Sequence, residues 1–129
     1  MELFFLDASD KTPLIILDKG RGKFELNGVS VPENGQEFYK PVLKWFTDYS
    51  AHPLTETMLH VNLDYFNISS SKMILFIFYK LMEIKDSGKK VEIVWHYSDE
   101  LIFEAGTDYE YITGLDFIYE KISKAKLAE

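Results

Sequence analysis

The sequence predicts an α/β fold: a mixed, mostly parallel sheet that opens with an antiparallel hairpin and carries its helices mainly on one face. Three observations predict it. Apolar segments switch repeatedly between a period of two and a period of 3.6, giving the order β-β-α-β-α-β-α-β. The first two strand-like segments are separated only by Lys19-Gly20-Arg21-Gly22, too short for a crossover and right for a hairpin. The segment Thr57 to Phe66 places His60, Asn62 and Asp64 opposite Leu59, Val61, Leu63 and Tyr65, as a strand covered on one face only. With 129 residues, 47% of them hydrophobic and 16% aromatic, the chain has the size and apolar content of one domain over residues 1–129, with a core over about 12–122.

Thr12 to Asp18 is short, apolar and rich in branched residues, so it reads as a strand. Lys23 to Leu26 is its hairpin partner, and Leu3 to Leu6 reads as an extra edge strand. Asn27-Gly28 carries a tight-turn signal, after which Val29-Ser30-Val31 would return along the sheet. Asn34 followed by Glu37 is a capping-box pattern, and Phe38, Val42, Leu43, Phe46 and Tyr49 recur at helical spacing. Pro41 falls inside that pattern, so the helix either starts near Lys40 or kinks there. After the strand Thr57 to Phe66, a second helix is expected over about Ser70 to Lys85, stopped by Asp86-Ser87-Gly88. Its apolar side is Met73, Ile74, Ile77, Phe78, Leu81 and Met82; if it packs through Met73, Ile77 and Leu81, Ile74 or Phe78 is left partly exposed as a docking surface, although each residue taken alone reads as core. Val91 to Tyr97 is the next strand, Ser98 to about Tyr111 a helix capped by Ser98, and Leu115 to Ile122 the last strand. The small, charged segment 123–129 is expected to fray.

Composition narrows the function classes. The formal net charge of −7, with no stripe of lysines, opposes binding to phosphate backbones, so no nucleic-acid partner is expected. The chain has no cysteine, which removes disulfides and thiolate metal sites. Its apolar runs are too short and too charged to span a membrane, and its start lacks the basic and apolar regions of a signal peptide. These features agree with a cytoplasmic location.

The residues offer no nucleophile–base pair, no phosphate-cradling glycine loop and no metal-ligand spacing, so no catalysis, cofactor or metal is expected. His52 lies in a loop, while His60 and His96 lie on neighbouring strands and read as sheet-face histidines in a local hydrogen bond. Asp99, Glu100, Glu104, Asp108 and Glu110 read as a solvated helix face. The segment Tyr65-Phe66-Asn67-Ile68-Ser69-Ser70-Ser71-Lys72 stands apart, because consecutive hydroxyl residues join a buried strand to an apolar helix. A serine there explains itself as a helix cap. It also suits a phosphoacceptor: a phosphate would meet free backbone N–H groups and the positive helix end, adding about −1.5 to −2 charges to a small patch.

That segment resembles the motif of the SiaC-family regulatory phosphoproteins. Val31-Pro32-Glu33-Asn34, Trp95-His96-Tyr97 and Glu104-Ala105-Gly106-Thr107-Asp108 extend the resemblance from about Thr12 to Phe117. The family is similar to the STAS domains of anti-sigma-factor antagonists, which agrees with the element order above. The resemblance implies a non-enzymatic partner switch: a kinase phosphorylates the protein, a PP2C-type phosphatase restores it, and the unphosphorylated form binds and activates a diguanylate cyclase, raising cyclic di-GMP and favouring biofilm.

The resemblance also implies an acceptor threonine directly after the asparagine, where this chain has Ile68. Three outcomes stay open: the acceptor has moved to Ser69 or Ser70, the protein is held in the partner-binding state, or the switch has been lost to another role. Asn67 is expected to shape the turn, and Ile68, Ser71 and Lys72 to meet the partner. The reading from a different class is a small-molecule or anion-binding sensor that uses the helix N-terminus at 69–72, with Lys72 assisting.

Overall fold

The computed structural model describes residues 2–123; the segment 124–129, most of the expected charged tail, lies outside the described residues. β1 (Phe4–Leu6), β2 (Leu14–Asp18) and β3 (Lys23–Ser30) form an antiparallel meander. From β3 onward the strands β4 (Glu56–Phe66), β5 (Lys90–Tyr97) and β6 (Asp116–Lys121) are parallel, linked by α1 (Gly35–Ala51), α2 (Ile68–Asp86) and α3 (Glu100–Thr113). The six strands lie in chain order, so each crossover steps one strand in the same direction. Right-handed crossovers then deliver all three helices to one face.

That face holds the core. Leu59, Val61 and Leu63 of β4 and Ile93 and Trp95 of β5 are buried with Ile74, Ile77, Phe78 and Leu81 of α2. The alternate residues His60, Asn62, Glu92 and His96 are half-buried on the helix-free face. α2 is the middle helix, touching both α1 and α3. Its apolar surface is therefore wider than one stripe: Ile74 and Phe78 are both fully buried, as the core reading of each has it, and neither is the partly exposed docking residue of the alternative. Leu75 and Phe76 are half-buried at its edges, packed against the core, and Tyr79 is exposed.

The boundaries at Asn27-Gly28 and at the start of α3 depart from the sequence reading. Asn27-Gly28 is not a turn; β3 runs through it, with Gly28 at φ 127°. Gly28 pairs with Leu63 but Val29 pairs with Tyr65, so Asp64 is an extra residue in β4, a β-bulge. The bulge inverts the alternation beyond it. Tyr65, expected on the core face, is 59% exposed, while Phe66 turns inward and meets the Trp95 ring edge-on at 6.3 Å. α3 is capped by Asp99 rather than Ser98: the Asp99 carboxylate accepts from the Ile102 N–H at 3.0 Å.

α1 begins at Gly35 and continues through Pro41, so the later start is not observed. Asn34 Oδ1 accepts from the Glu37 N–H at 3.1 Å, as the capping pattern predicts. Glu37 and Pro41 are both exposed, so the carbonyl deprived of its helical partner is one that water can meet.

Candidate functional site

The bulge delivers the chain to α2 at a fixed height. The Asn67 N–H donates to the Ser30 carbonyl at 3.0 Å, which makes Asn67 the last residue tied to β3. Its side chain then caps α2, with Oδ1 accepting from the Ser70 N–H at 3.0 Å. The cap is thus Asn67 and not a serine, and the helix starts two residues earlier than expected, at Ile68. Asn67→Ala is expected to cost about 1 kcal/mol, the usual loss for such a cap. A urea titration followed by circular dichroism measures it.

The two serines that follow sit in opposite environments. Ser69 is exposed, and its hydroxyl donates to Asn67 Oδ1 at 3.2 Å. It packs against the start of α1: a Cβ built on Gly35 would lie 2.6 Å from Ser69 Oγ. Only a glycine lets the first turns of α1 and α2 approach this closely, which brings two positive helix ends to one hydroxyl. Ser70 is fully buried. Its hydroxyl donates to the Ser30 carbonyl at 3.0 Å, and the Ser30 hydroxyl donates back to Ser70 Oγ at 2.8 Å. With the Ser30 proton used, Tyr39 must donate across its 2.6 Å contact with Ser30 Oγ. Burial raises the Tyr39 pKa to about 12, so the phenol stays protonated and able to donate.

Ile68, in the position between cap and serines, is 90% exposed. A shallow apolar groove between α2 and α3 begins beside it, floored by Phe66, Leu75, Ala105 and Tyr109. Tyr109 spans the two helices by donating to the Ser71 carbonyl at 2.8 Å, and burial raises its pKa to about 12. Tyr65 and Leu101, the latter 78% exposed, continue the apolar surface past the end of β4. The Lys72 ammonium lies 5.9 Å over the Phe76 ring. Asp99, Glu104 and Asp108 are exposed around this surface, as the expected solvated acidic face. Glu110 differs, accepting the Tyr119 hydroxyl at 2.8 Å.

Of the residues singled out from sequence, Asn67, Ile68, Ser69 and Lys72 therefore share one end of α2, while Ser70 and the Ser71 carbonyl point into packing. Sequence reasoning missed Ser30, Tyr39, Gly35 and Leu101. Gly35 left a signal, because glycine is a poor helix former directly after the Asn34 cap and needs another reason to be there. Ser30 and Tyr39 left none, since their meeting with Ser70 depends on tertiary placement. Among the described residues no helix is long and apolar enough to cross a membrane.

Comparison with known proteins places this arrangement. The family model described as SiaC family regulatory phosphoprotein matches residues 6–122. An uncharacterised protein of Pseudomonas aeruginosa (strain UCBPP-PA14) is 32% identical over 92 residues, spanning 71% of this chain and 73% of its own length. The solved structure of SiaC of Pseudomonas aeruginosa superposes with a TM-score of 0.86 at 26% identity, covering 95% of this chain and 100% of that one. A crystal structure of the diguanylate cyclase SiaD in complex with its activator SiaC, also from Pseudomonas aeruginosa, contains a chain matched at TM-score 0.86 and 26% identity, over 92% of this chain and 99% of that one. Sheet, helices and the asparagine-capped turn thus fall within one matched span, and the chain belongs to the SiaC family of regulatory phosphoproteins.

Proposed function

We propose that this protein has no catalysis of its own and acts as a regulatory partner of a diguanylate cyclase, which it engages through the surface centred on Ile68. The observation that carries this reading is the exposure of a large apolar side chain, 90% in water, at the first position of α2 and at the mouth of an apolar groove. An isolated chain gains nothing from that placement, whereas a partner that covers it gains the burial of the side chain. The Pseudomonas aeruginosa relative that complexes a diguanylate cyclase supports the class of partner.

Ser69 is the acceptor that fits phosphorylation control by a kinase and a PP2C-type phosphatase. It is exposed, it sits one residue from Ile68, and a phosphate there would lie near the positive ends of α1 and α2. A phosphate beside Ile68 adds charge that an apolar contact cannot bury. The anion-sensor reading has less support: the Ser70 N–H is already taken by Asn67, and Lys72 is turned to Phe76.

The test measures cyclic di-GMP synthesis by the cyclase encoded in the same genome, with and without this chain. Wild type is expected to activate, and Ile68→Glu to raise the concentration needed by about 30-fold or more, the effect of losing a central interface residue. Unchanged activation by Ile68→Glu would remove this surface from the account. Peptide mass spectrometry of protein from its native cells, before and after phosphatase, is expected to place a phosphate on Ser69. Its absence in every growth condition would leave a constitutive regulator.

A further inference from the structure

The two edges of the sheet differ in how they are protected. β1 and β6 each have a neighbour on one side only among the described strands. An edge strand offers unpaired N–H and C=O groups to any second strand, and charged side chains are the common guard against that. β6 has the guard, because Asp116, Glu120 and Lys121 are all exposed along it. β1 has none: Leu3-Phe4-Phe5-Leu6, the strand with the residue before it, carries no charge and no proline. Phe4 and Leu6 pack onto the core, whereas Leu3 and Phe5, which alternate with them, are 59% and 54% exposed. The Trp45 indole of α1 donates to the Glu2 carbonyl at 3.0 Å, so the segment is held in place beside β2. We propose that β1 pairs with β1 of a second copy of this chain, antiparallel about a two-fold axis at Phe4, joining two six-stranded sheets into one.

Side chains and charge both favour a second copy as the occupant. A two-fold axis normal to the sheet places each residue opposite one of the same face. With the axis at Phe4, Leu3 of each copy stands opposite Phe5 of the other, so the two exposed apolar residues cover one another twice. The acids beside the segment meet no acid in this register, since Glu2 falls opposite Leu6. Between chains of formal net charge −7, a neutral edge is where two copies approach with least repulsion. Pairing of β1 with β6 of another copy would instead bring Glu2 and Asp7 to an edge that carries Asp116 and Glu120, and it would extend without closing.

The contact is small. β1 has 3 residues, and its edge buries less than the roughly 1,200 Å² of a standard interface, so the dimer is weak, with a dissociation constant of about 100 µM. The same axis keeps both helix layers on one side of the joined sheet. β2 and β3 separate β1 from β4, so the pairing leaves the Ile68 surface of each copy open. The dimer thus presents two docking surfaces, and self-association and docking are independent of each other.

Sedimentation velocity of the full chain from about 5 µM to about 1 mM tests the pairing. Wild type is expected to pass from monomer to dimer across that range, Phe5→Lys to stay monomeric with unchanged circular dichroism, and Ile68→Glu to dimerise like wild type. The absence of cysteine makes the register measurable by oxidation of single-cysteine variants. Opposite Cα atoms in an antiparallel pair stand about 4.5–5.5 Å apart, within disulfide reach. Phe4→Cys, opposite itself, is expected to oxidise to a covalent dimer, and Phe5→Cys, opposite Leu3, to stay uncrosslinked under the same conditions. A wild type still monomeric at about 1 mM would overturn the proposal and leave the edge to a strand of another protein. A dimer that Ile68→Glu abolishes and Phe5→Lys leaves intact would also overturn it, assigning self-association to the groove. Crosslinking through Phe5→Cys and not Phe4→Cys would overturn the axis at Phe4.

Discussion

A Ser70→Asp chain is expected to lose about 3–5 kcal/mol of stability, while Ser69→Asp, one residue away, is expected to fold like wild type. The difference comes from where each hydroxyl points. Ser70 Oγ is fully buried and locked between the Ser30 carbonyl and the Ser30 hydroxyl, with Tyr39 behind them. A carboxylate there loses its water, finds carbonyl and hydroxyl oxygens in place of a cation, and disrupts the two hydrogen bonds of Ser70 Oγ; an unpaired buried charge costs on this scale. Ser69 is exposed in the first turn of α2, where a negative charge gains about 0.3–1 kcal/mol from the helix dipole. Urea unfolding of the two variants measures the contrast. Stability of Ser70→Asp equal to wild type would show that the buried network is not closed. In the cyclase assay the same Ser69→Asp protein should fail to activate, as a phosphate at that position would.

The second large effect is on packing. Trp95→Ala is expected to cost about 3–5 kcal/mol, the range for removing a fully buried aromatic. Trp95 is 0% exposed and joins three parts of the fold. Its ring meets Phe66 at the end of β4, Tyr109 of α3 and Phe117 of β6, and its Nε1 donates to the Ile102 carbonyl at 2.8 Å. α3 lies against the ring at Gly106, where a built Cβ would stand 2.6 Å from Trp95 Cδ1 and Nε1. Removal of the indole therefore opens a cavity under the helix that forms one wall of the groove. Calorimetric unfolding should show the loss of stability. Cyclase activation should fall as well, even at a temperature where the variant stays folded. A shift of less than about 1 kcal/mol would mean that α3 collapses onto the sheet without penalty.

The order of elements along the chain, the mostly parallel sheet opened by a hairpin and the one-faced placement of the helices were legible in the sequence, because alternation in 57–66 and helical spacing in 38–49 follow directly from what each side chain must face. The candidate site was legible only as a segment. Asn67, Ser69, Ser70 and Ser71 can all cap a helix, and local chemistry does not rank them. The choice is made by the hydrogen bond from the Asn67 N–H to Ser30, which lies on another strand. Ser70 is likewise withdrawn from the surface by partners 31 and 40 residues away, Tyr39 and Ser30, which no local window contains. Asn27-Gly28 misled for a related reason: glycine at positive φ serves a tight turn and a bulged strand pairing equally well. With the bulge unseen, Tyr65 was assigned to the core face. Ile74 and Phe78 are core, the reading that each residue taken alone favours, because a helix flanked on both sides buries more than one stripe.

The chain-order sheet has a consequence for how the molecule is made. Every strand after the first pairs with the strand that leaves the ribosome just before it, so no strand waits for a partner not yet synthesised. The meander of β1 to β3 is available first as a template, and each later helix–strand unit closes onto an edge already in place. Growth of this kind keeps the sequence separation between pairing strands small, which shortens the search for native contacts. The α2–α3 groove beside Ile68 is built from elements laid down late in the chain, with only β6 following α3 among the described elements.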